Sequence, residues 1–163
     1  MAEQRKDFVC QIIDEYLDML YRIAFLHAKN RADAEDIVQD VLLKLLRNPP
    51  AFASKAHEKA WLIKVTTNQS RDFLKKAWLR RSRPLTDGLH AQAPEAQSEI
   101  ISQLMELPAK YREVILLYYY EGYSIGEIAR ILGQKESTVG SQLHRARKKL
   151  RLLISGEDGN GRI

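Results

Sequence analysis

Cysteine is almost missing from this chain. Among 163 residues only Cys10 occurs. A disulfide framework cannot form within one chain, and a thiolate-based zinc site has too few ligands. Cys10 falls on an apolar helical pattern and is expected in the core. Long apolar runs are missing too. None approaches the roughly 18 residues that a membrane span requires, so no direct membrane insertion is expected. The opening MAEQRKDF is polar and charged, unlike a secretory leader. The expectation is a soluble, cytoplasmic protein. No proline precedes Pro49, and no glycine-rich phosphate loop or dinucleotide fingerprint occurs anywhere. Period-two alternation of β-branched residues is absent as well, which leaves nothing for a sheet. The histidines His27, His57, His90 and His144 are scattered without metal-ligand spacing. Neither a metal nor a cofactor is expected.

What is present is helical pattern, nearly everywhere. Apolar residues make up 45% of the chain, enough to build a core. Phe8, Val9, Ile12, Ile13, Tyr16, Leu17, Leu20, Tyr21 and Ala24 recur at three and four. A second stripe follows KNRADAED: Ile37, Val38, Val41, Leu42, Leu45 and Leu46. The double proline of RNPPAFASKAHEK interrupts it. A third helix is expected from about Glu58 through AWLIKVTTNQSRDFLKKAWLRR. SRPLTDGLHAQAPEAQS then has two prolines, a glycine and no apolar period, and reads as a linker. Helical pattern resumes at Glu99. The expected fold is all-α: two small helical domains, 1–81 and 100–155, joined by a flexible linker, 82–99, with a disordered tail, 156–163.

The net charge of +5 is modest, but its placement is uneven. In ESTVGSQLHRARKKLR, residues 136–151, five of the last seven residues are basic and none after Glu136 is acidic. On a helical wheel Val139, Leu143, Ala146 and Leu150 cluster on one face. Ser137, Ser141, His144 and Lys148 lie opposite. Arg145 and Lys149 flank one side, Arg147 and Arg151 the other. Such a helix suits a DNA major groove: central side chains reach base edges and flanking cations meet phosphates. The residues before it agree. Ser124 and Glu127 have capping-box spacing, Ala129 is small where helices must cross, and Gly133 suits a left-handed helix end. Together these form a helix-turn-helix pattern. The bland alternative is a solvated basic helix closing a bundle.

The first half carries two further signals. Asp36, Asp40 and Lys44 share an exposed line, beside Asp33 and Glu35. Charge at a helix start explains Asp33. The others suit either a docking face for a basic partner or an acidic metal site for a nuclease, although no further ligand cluster completes the latter. On the third helix, Lys64, Asn68, Arg71 and Lys75 recur along one side, with Trp61, Leu62, Val65 and Phe73 available to the core. Amide, aromatic and cationic groups together suit single-stranded nucleic acid.

Three stretches resemble the extracytoplasmic-function sigma factors, small two-domain specificity subunits of bacterial RNA polymerase. DAEDIVQDVLLKLL resembles the segment that binds the polymerase clamp helices. AWLIKVTTNQSRDFLKK is similar to the segment that opens and reads the minus-ten element. LPAKYREVILLYYYEGYSIGEIARILGQKESTVGSQLHRARKKL resembles the region that reads the minus-thirty-five element. The resemblance implies a non-enzymatic transcription-initiation factor whose partners are core RNA polymerase, promoter DNA and an anti-sigma factor, often membrane-bound. Asp36, Gln39 and Asp40 would face the polymerase. The loop Asn48–His57 would cup an extruded base, with Trp61, Lys64, Asn68, Arg71 and Lys75 at minus-ten DNA. Ser137, Ser141, His144, Arg145, Arg147 and Lys148 would serve the minus-thirty-five element. Two positions depart from the family. Gly140 stands where Lys or Arg is usual, and Lys135 replaces the usual Ser cap. A free-standing helix-turn-helix regulator is the rival reading.

Overall fold

The computed structural model describes residues 2–80 and 99–156. The chain divides into two compact units, Met1–Ala93 and Pro94–Ile163. The expected linker 82–99 and tail 156–163 lie, apart from Glu99 and Gly156, outside the described residues. Every regular element among the described residues is helical.

The N-terminal unit consists of α1 (Ala2–Ala28), α2 (Arg31–Arg47) and α3 (Lys55–Arg80). All three pairs of helices pack together. Val9, Ile12, Tyr16, Met19, Leu20, Ile23 and Ala24 of α1 are buried, against Ala34, Ile37, Val38, Val41 and Leu45 of α2. Cys10 is exposed, contrary to expectation. It lies one position past Val9 and shares its side of the helix with Asp14 and Leu17, both exposed. The apolar period around it belongs to its neighbours. α1 ends at Lys29, whose φ of 65° is left-handed, a conformation that costs a non-glycine residue energy. Asn30 then caps α2, accepting from the Asp33 amide at 2.8 Å and donating to the Asp33 carboxylate at 2.9 Å.

The third helix starts three residues earlier than its apolar pattern, at Lys55. The reason is Ser54, whose hydroxyl accepts from the His57 amide at 3.1 Å, a cap that no apolar period records. Its buried face is also less apolar than expected. Leu62 and Ile63 are joined there by Thr66, Thr67 and Ser70, all buried. Thr66 and Ser70 donate to the carbonyls of Leu62 and Thr66, each at 2.7 Å, so these hydroxyls need no partner elsewhere. Trp61, Val65 and Phe73 are half-buried.

The start of α3 is tied to α1 by charge. Lys55 Nζ lies 3.0 Å from Glu15 and 3.1 Å from Glu58. These hydrogen bonds, Glu15 first and then Glu58, hold its ammonium well above the ordinary lysine range. The buried Tyr16 hydroxyl bonds to Glu58 as well. Burial first, and then Glu58, raises its ionisation above the ordinary value of 10.0.

The C-terminal unit comprises α4 (Glu99–Met105), α5 (Ala109–Ile115), a π-helical turn (Leu116–Tyr120), α6 (Ile125–Leu132) and α7 (Glu136–Ser155). The Arg112 side chain is buried and donates to the carbonyls of Met105 and Leu107, which fixes the corner between α4 and α5. α6 opens with the full capping box: the Glu127 amide donates to the Ser124 hydroxyl, and the Ser124 amide to the Glu127 carboxylate. It ends at Gly133 with φ 67°, the left-handed stop that lets the chain turn into α7. Lys135 precedes α7 without any side-chain cap bond. The buried Ala129 and Ile128 of α6, with Val139, Leu143 and Ala146 of α7, form the helix-turn-helix core.

Tyr16 supplies a test of the N-terminal packing. Its raised folded value means that its contribution is complete below the unfolded value near 10 and is lost as pH rises toward the folded one. Urea unfolding across a pH series should show stability falling above pH 10. Tyr16→Phe should cost about 1 kcal/mol at neutral pH and flatten that alkaline loss. The remaining slope is expected from residues such as Tyr21, which burial also raises.

Candidate nucleic-acid interface

α3 presents its polar side as a straight stripe. Lys64, Asn68 and Lys75 are exposed, and Arg71 is half-buried between them. Their spacing of four, three and four keeps them on one face. The next step of three lands on Trp78, which is 72% exposed. The sequence reading passed over it, although the spacing was there to find. From Lys64 to Trp78 the stripe runs about 21 Å along the helix axis.

Beside the start of this stripe lies the loop 48–54. Phe52 is its hub. The Phe52 ring stands 5.5 Å from Trp61, 5.4 Å edge-on to His57 and 6.3 Å from Phe8. The Ala53 amide donates to His57 Nδ1 at 3.1 Å. Trp61 is therefore neither a core residue nor a free one: its half-buried ring joins helix and loop. The aromatic Phe52 was the missed signal in this segment, hidden by proline-rich surroundings.

On α2, Asp36 and Gln39 are exposed and Asp40 is half-buried. Asp40 accepts from Gln69 Nε2 of α3 at 3.2 Å, so the acidic line is partly turned toward α3. Glu35, next to Asp36, pairs with Arg31 at 2.7 Å. No cluster of three potential metal ligands occurs among the described residues.

In the C-terminal unit the burial of α7 follows the wheel. Val139, Leu143 and Ala146 are 0%, 1% and 0% exposed. Ser137, Ser141, His144, Arg145, Lys148 and Lys149 are exposed, and Leu150 is half-buried. Gly140 sits on the half-exposed side, and a Cβ there would meet nothing within 4 Å. The outward face of α7 is thus open and free of acidic groups from Ser137 to Arg151.

Arg147 departs from the expected free flank. It is half-buried, and its Nε donates to the Tyr119 hydroxyl at 2.5 Å. Its guanidinium carbon lies 5.3 Å from the Tyr118 ring and 5.5 Å from the Tyr119 ring. Both tyrosines belong to the π-helical turn, a winding that the apolar period of LLYYYEG does not announce.

Comparison with known proteins agrees with this division. The family model for Sigma-70 region 2 matches residues 12–80, and that for Sigma-70 region 4 matches residues 97–150. The chain is 30% identical to RNA polymerase sigma factor SigV of Bacillus subtilis, over 94% of this chain and 95% of that one. It is 32% identical to ECF RNA polymerase sigma factor SigM of Mycobacterium tuberculosis, over 88% and 76%. Among solved structures it is similar to the sigma factor RpoE in complex with the anti-sigma factor NepR from Bartonella quintana. That match has a TM-score of 0.74, 26% identity, and coverage of 92% of this chain and 98% of that one. CnrH in complex with the cytosolic domain of CnrY matches with a TM-score of 0.66 and 25% identity, over 95% of each chain.

The open space at Gly140 gives a prediction that needs no DNA. A glycine inside a helix costs about 1 kcal/mol relative to alanine, and here no contact requires it. Gly140→Ala should raise stability by about that amount in urea unfolding. An unchanged or lower midpoint would mean that the helix needs its flexibility at this point.

Proposed function

The chain belongs to the sigma-70 family, in its extracytoplasmic-function group, and from that membership we propose how its two units divide the work of initiation. It binds core RNA polymerase, directs the enzyme to specific promoters and helps open the DNA. The N-terminal unit takes the region-2 role and the C-terminal unit the region-4 role. The chain itself makes and breaks no covalent bond; nucleotide chemistry stays with the polymerase. It works in the cytoplasm, and no described helix is long and apolar enough to cross a membrane.

Asp36, Gln39 and the partly turned Asp40 form the polymerase-facing patch, where carboxylates complement a basic partner. The stripe Lys64, Asn68, Arg71 and Lys75 follows the opened minus-ten strand. Its cations neutralise phosphates while Trp61, with the loop 48–57, receives an unstacked base. α7 lies in the major groove of the minus-thirty-five element. Ser137, Ser141, His144 and Arg145 meet base edges, and Arg147 and Lys148 meet phosphates. An anti-sigma factor is the regulatory partner. The similar RpoE structure holds a sigma factor with its anti-sigma factor, and a membrane-bound antagonist would hold this chain at the membrane.

The observation that carries this reading is the rotation of α7. Its buried residues Val139, Leu143 and Ala146 leave a continuous polar and basic face outward. The test is to combine the pure chain with core polymerase and a promoter library and sequence the transcripts. Promoter-specific starts are expected. Ser141→Ala or His144→Ala should relax discrimination within the minus-thirty-five element by about 1–3 kcal/mol per strong base contact. Starts at random positions, or operator binding that needs no polymerase, would refute the reading.

Strand opening is tested separately. Asn68→Ala with Lys75→Ala removes exposed groups only, so folding should change by under about 0.5 kcal/mol for each change. Open-complex formation on duplex promoters should fall. A template already mismatched across the minus-ten region should restore much of it. Equal loss on both templates would take these residues out of melting.

A further inference from the structure

Arg147 is held differently from the cations beside it. Its Nε is occupied by the Tyr119 hydroxyl, and its plane lies over two rings. Those rings brace each other edge to face, with centroids 4.9 Å apart at 75°. Among the described residues its two terminal nitrogens have no partner. Tyr119 is nonetheless 59% exposed, so this is a surface assembly rather than a buried tie. Its hydroxyl accepts from Arg147 and still has its own hydrogen to give.

We propose that Tyr119 and Arg147 form a preassembled clamp for one DNA phosphate on the wall of the minus-thirty-five groove, with Tyr119 as its positioning residue. This deepens the reading of α7 as the groove helix and rests on it. The guanidinium fork matches a phosphate bidentately through its terminal nitrogens. Tyr119 holds Nε, so the fork keeps one orientation before DNA arrives, and less freedom is lost on binding. A base edge is the wrong ligand, because Arg147 lies at the flank of α7 and Tyr119 stands on a separate turn beside it. The π winding of Leu116–Tyr120 places the ring there.

The test uses holoenzyme reconstituted with the full chain. Promoter affinity is measured over a salt series, on DNA carrying single methylphosphonates through the minus-thirty-five element. In the natural chain one such neutral substitution should weaken binding about tenfold, the cost of a lost charged hydrogen bond. Arg147→Ala should weaken binding to unmodified DNA and lower the salt slope by about one unit. It should also become indifferent to that methylphosphonate. Tyr119→Phe keeps the ring and the fold, yet should lose affinity and most of the sensitivity at the same phosphate. Adding it to Arg147→Ala should cost little more. If Tyr119→Phe kept the natural slope and methylphosphonate profile, Tyr119 would be a packing residue and the clamp would fall. If Arg147→Ala kept them, the phosphate contact itself would fall. If the natural holoenzyme showed no promoter preference, the sigma-factor reading of α7 would fail before the clamp was reached.

Discussion

The constraint on which most of the C-terminal unit depends is rotational. A helix of twenty residues has no preferred side until something buries one. Val139, Leu143 and Ala146 do this by filling the space against Ile128 and Ala129, and the exclusion of water from that seam fixes the azimuth of every other α7 side chain. Loss of one large side chain from such a seam costs a few kcal/mol, more than any single exposed contact gains. The polar and basic side chains of the outer face are therefore held in place by apolar packing on the inner one. The capping box and Gly133 add to this by setting where α6 starts and stops, and so where α7 can begin.

The N-terminal unit solves the same problem with different material. The inward side of α3 carries Thr66, Thr67 and Ser70 in the places where Leu or Ile would be the simplest choice. Small hydroxyl residues let neighbouring helices approach closely, and the two that bond to their own helix's carbonyls carry no unmet polar demand inward. The outward side can then hold a long polar stripe without exposing backbone. The aromatic hub at Phe52 attaches the preceding loop to this rod, and the Lys55–Glu15 pair ties the start of the rod to α1, so a region rich in turn residues is still anchored at its downstream end.

The all-α class, the two units and the phase of α7 were legible because each rests on a local rule: apolar period, cap spacing, a glycine at a helix end. What escaped was whatever depends on a distant residue. Cys10 reads as apolar in its neighbourhood, but it lies on an exposed side of α1. Asp40 reads as exposed, yet Gln69, far along the chain, turns it. Arg147 belongs by spacing to a free flank, and only the chain path between α5 and α6 brings Tyr119 to it. Trp78 is a different case. Its step of three beyond Lys75 was visible in the sequence, and only its exposure shows it standing outward as the last step of the stripe.

The π turn at Leu116–Tyr120 has a bearing on how this fold can vary. Such a turn holds one residue more than an α-turn of the same height. It is thus a place where the chain can shorten by a single residue while the helices on either side stay docked. Deletion there would relax the segment to ordinary helix and rotate its outward residues by about 100°. Leu116 and Leu117 of the same turn are buried, so a tolerated deletion would be one that keeps an apolar pair in their places while a different side chain stands beside α7. One-residue length changes at this point would act as a dial on the neighbour of α7, separable from any substitution within α7 itself.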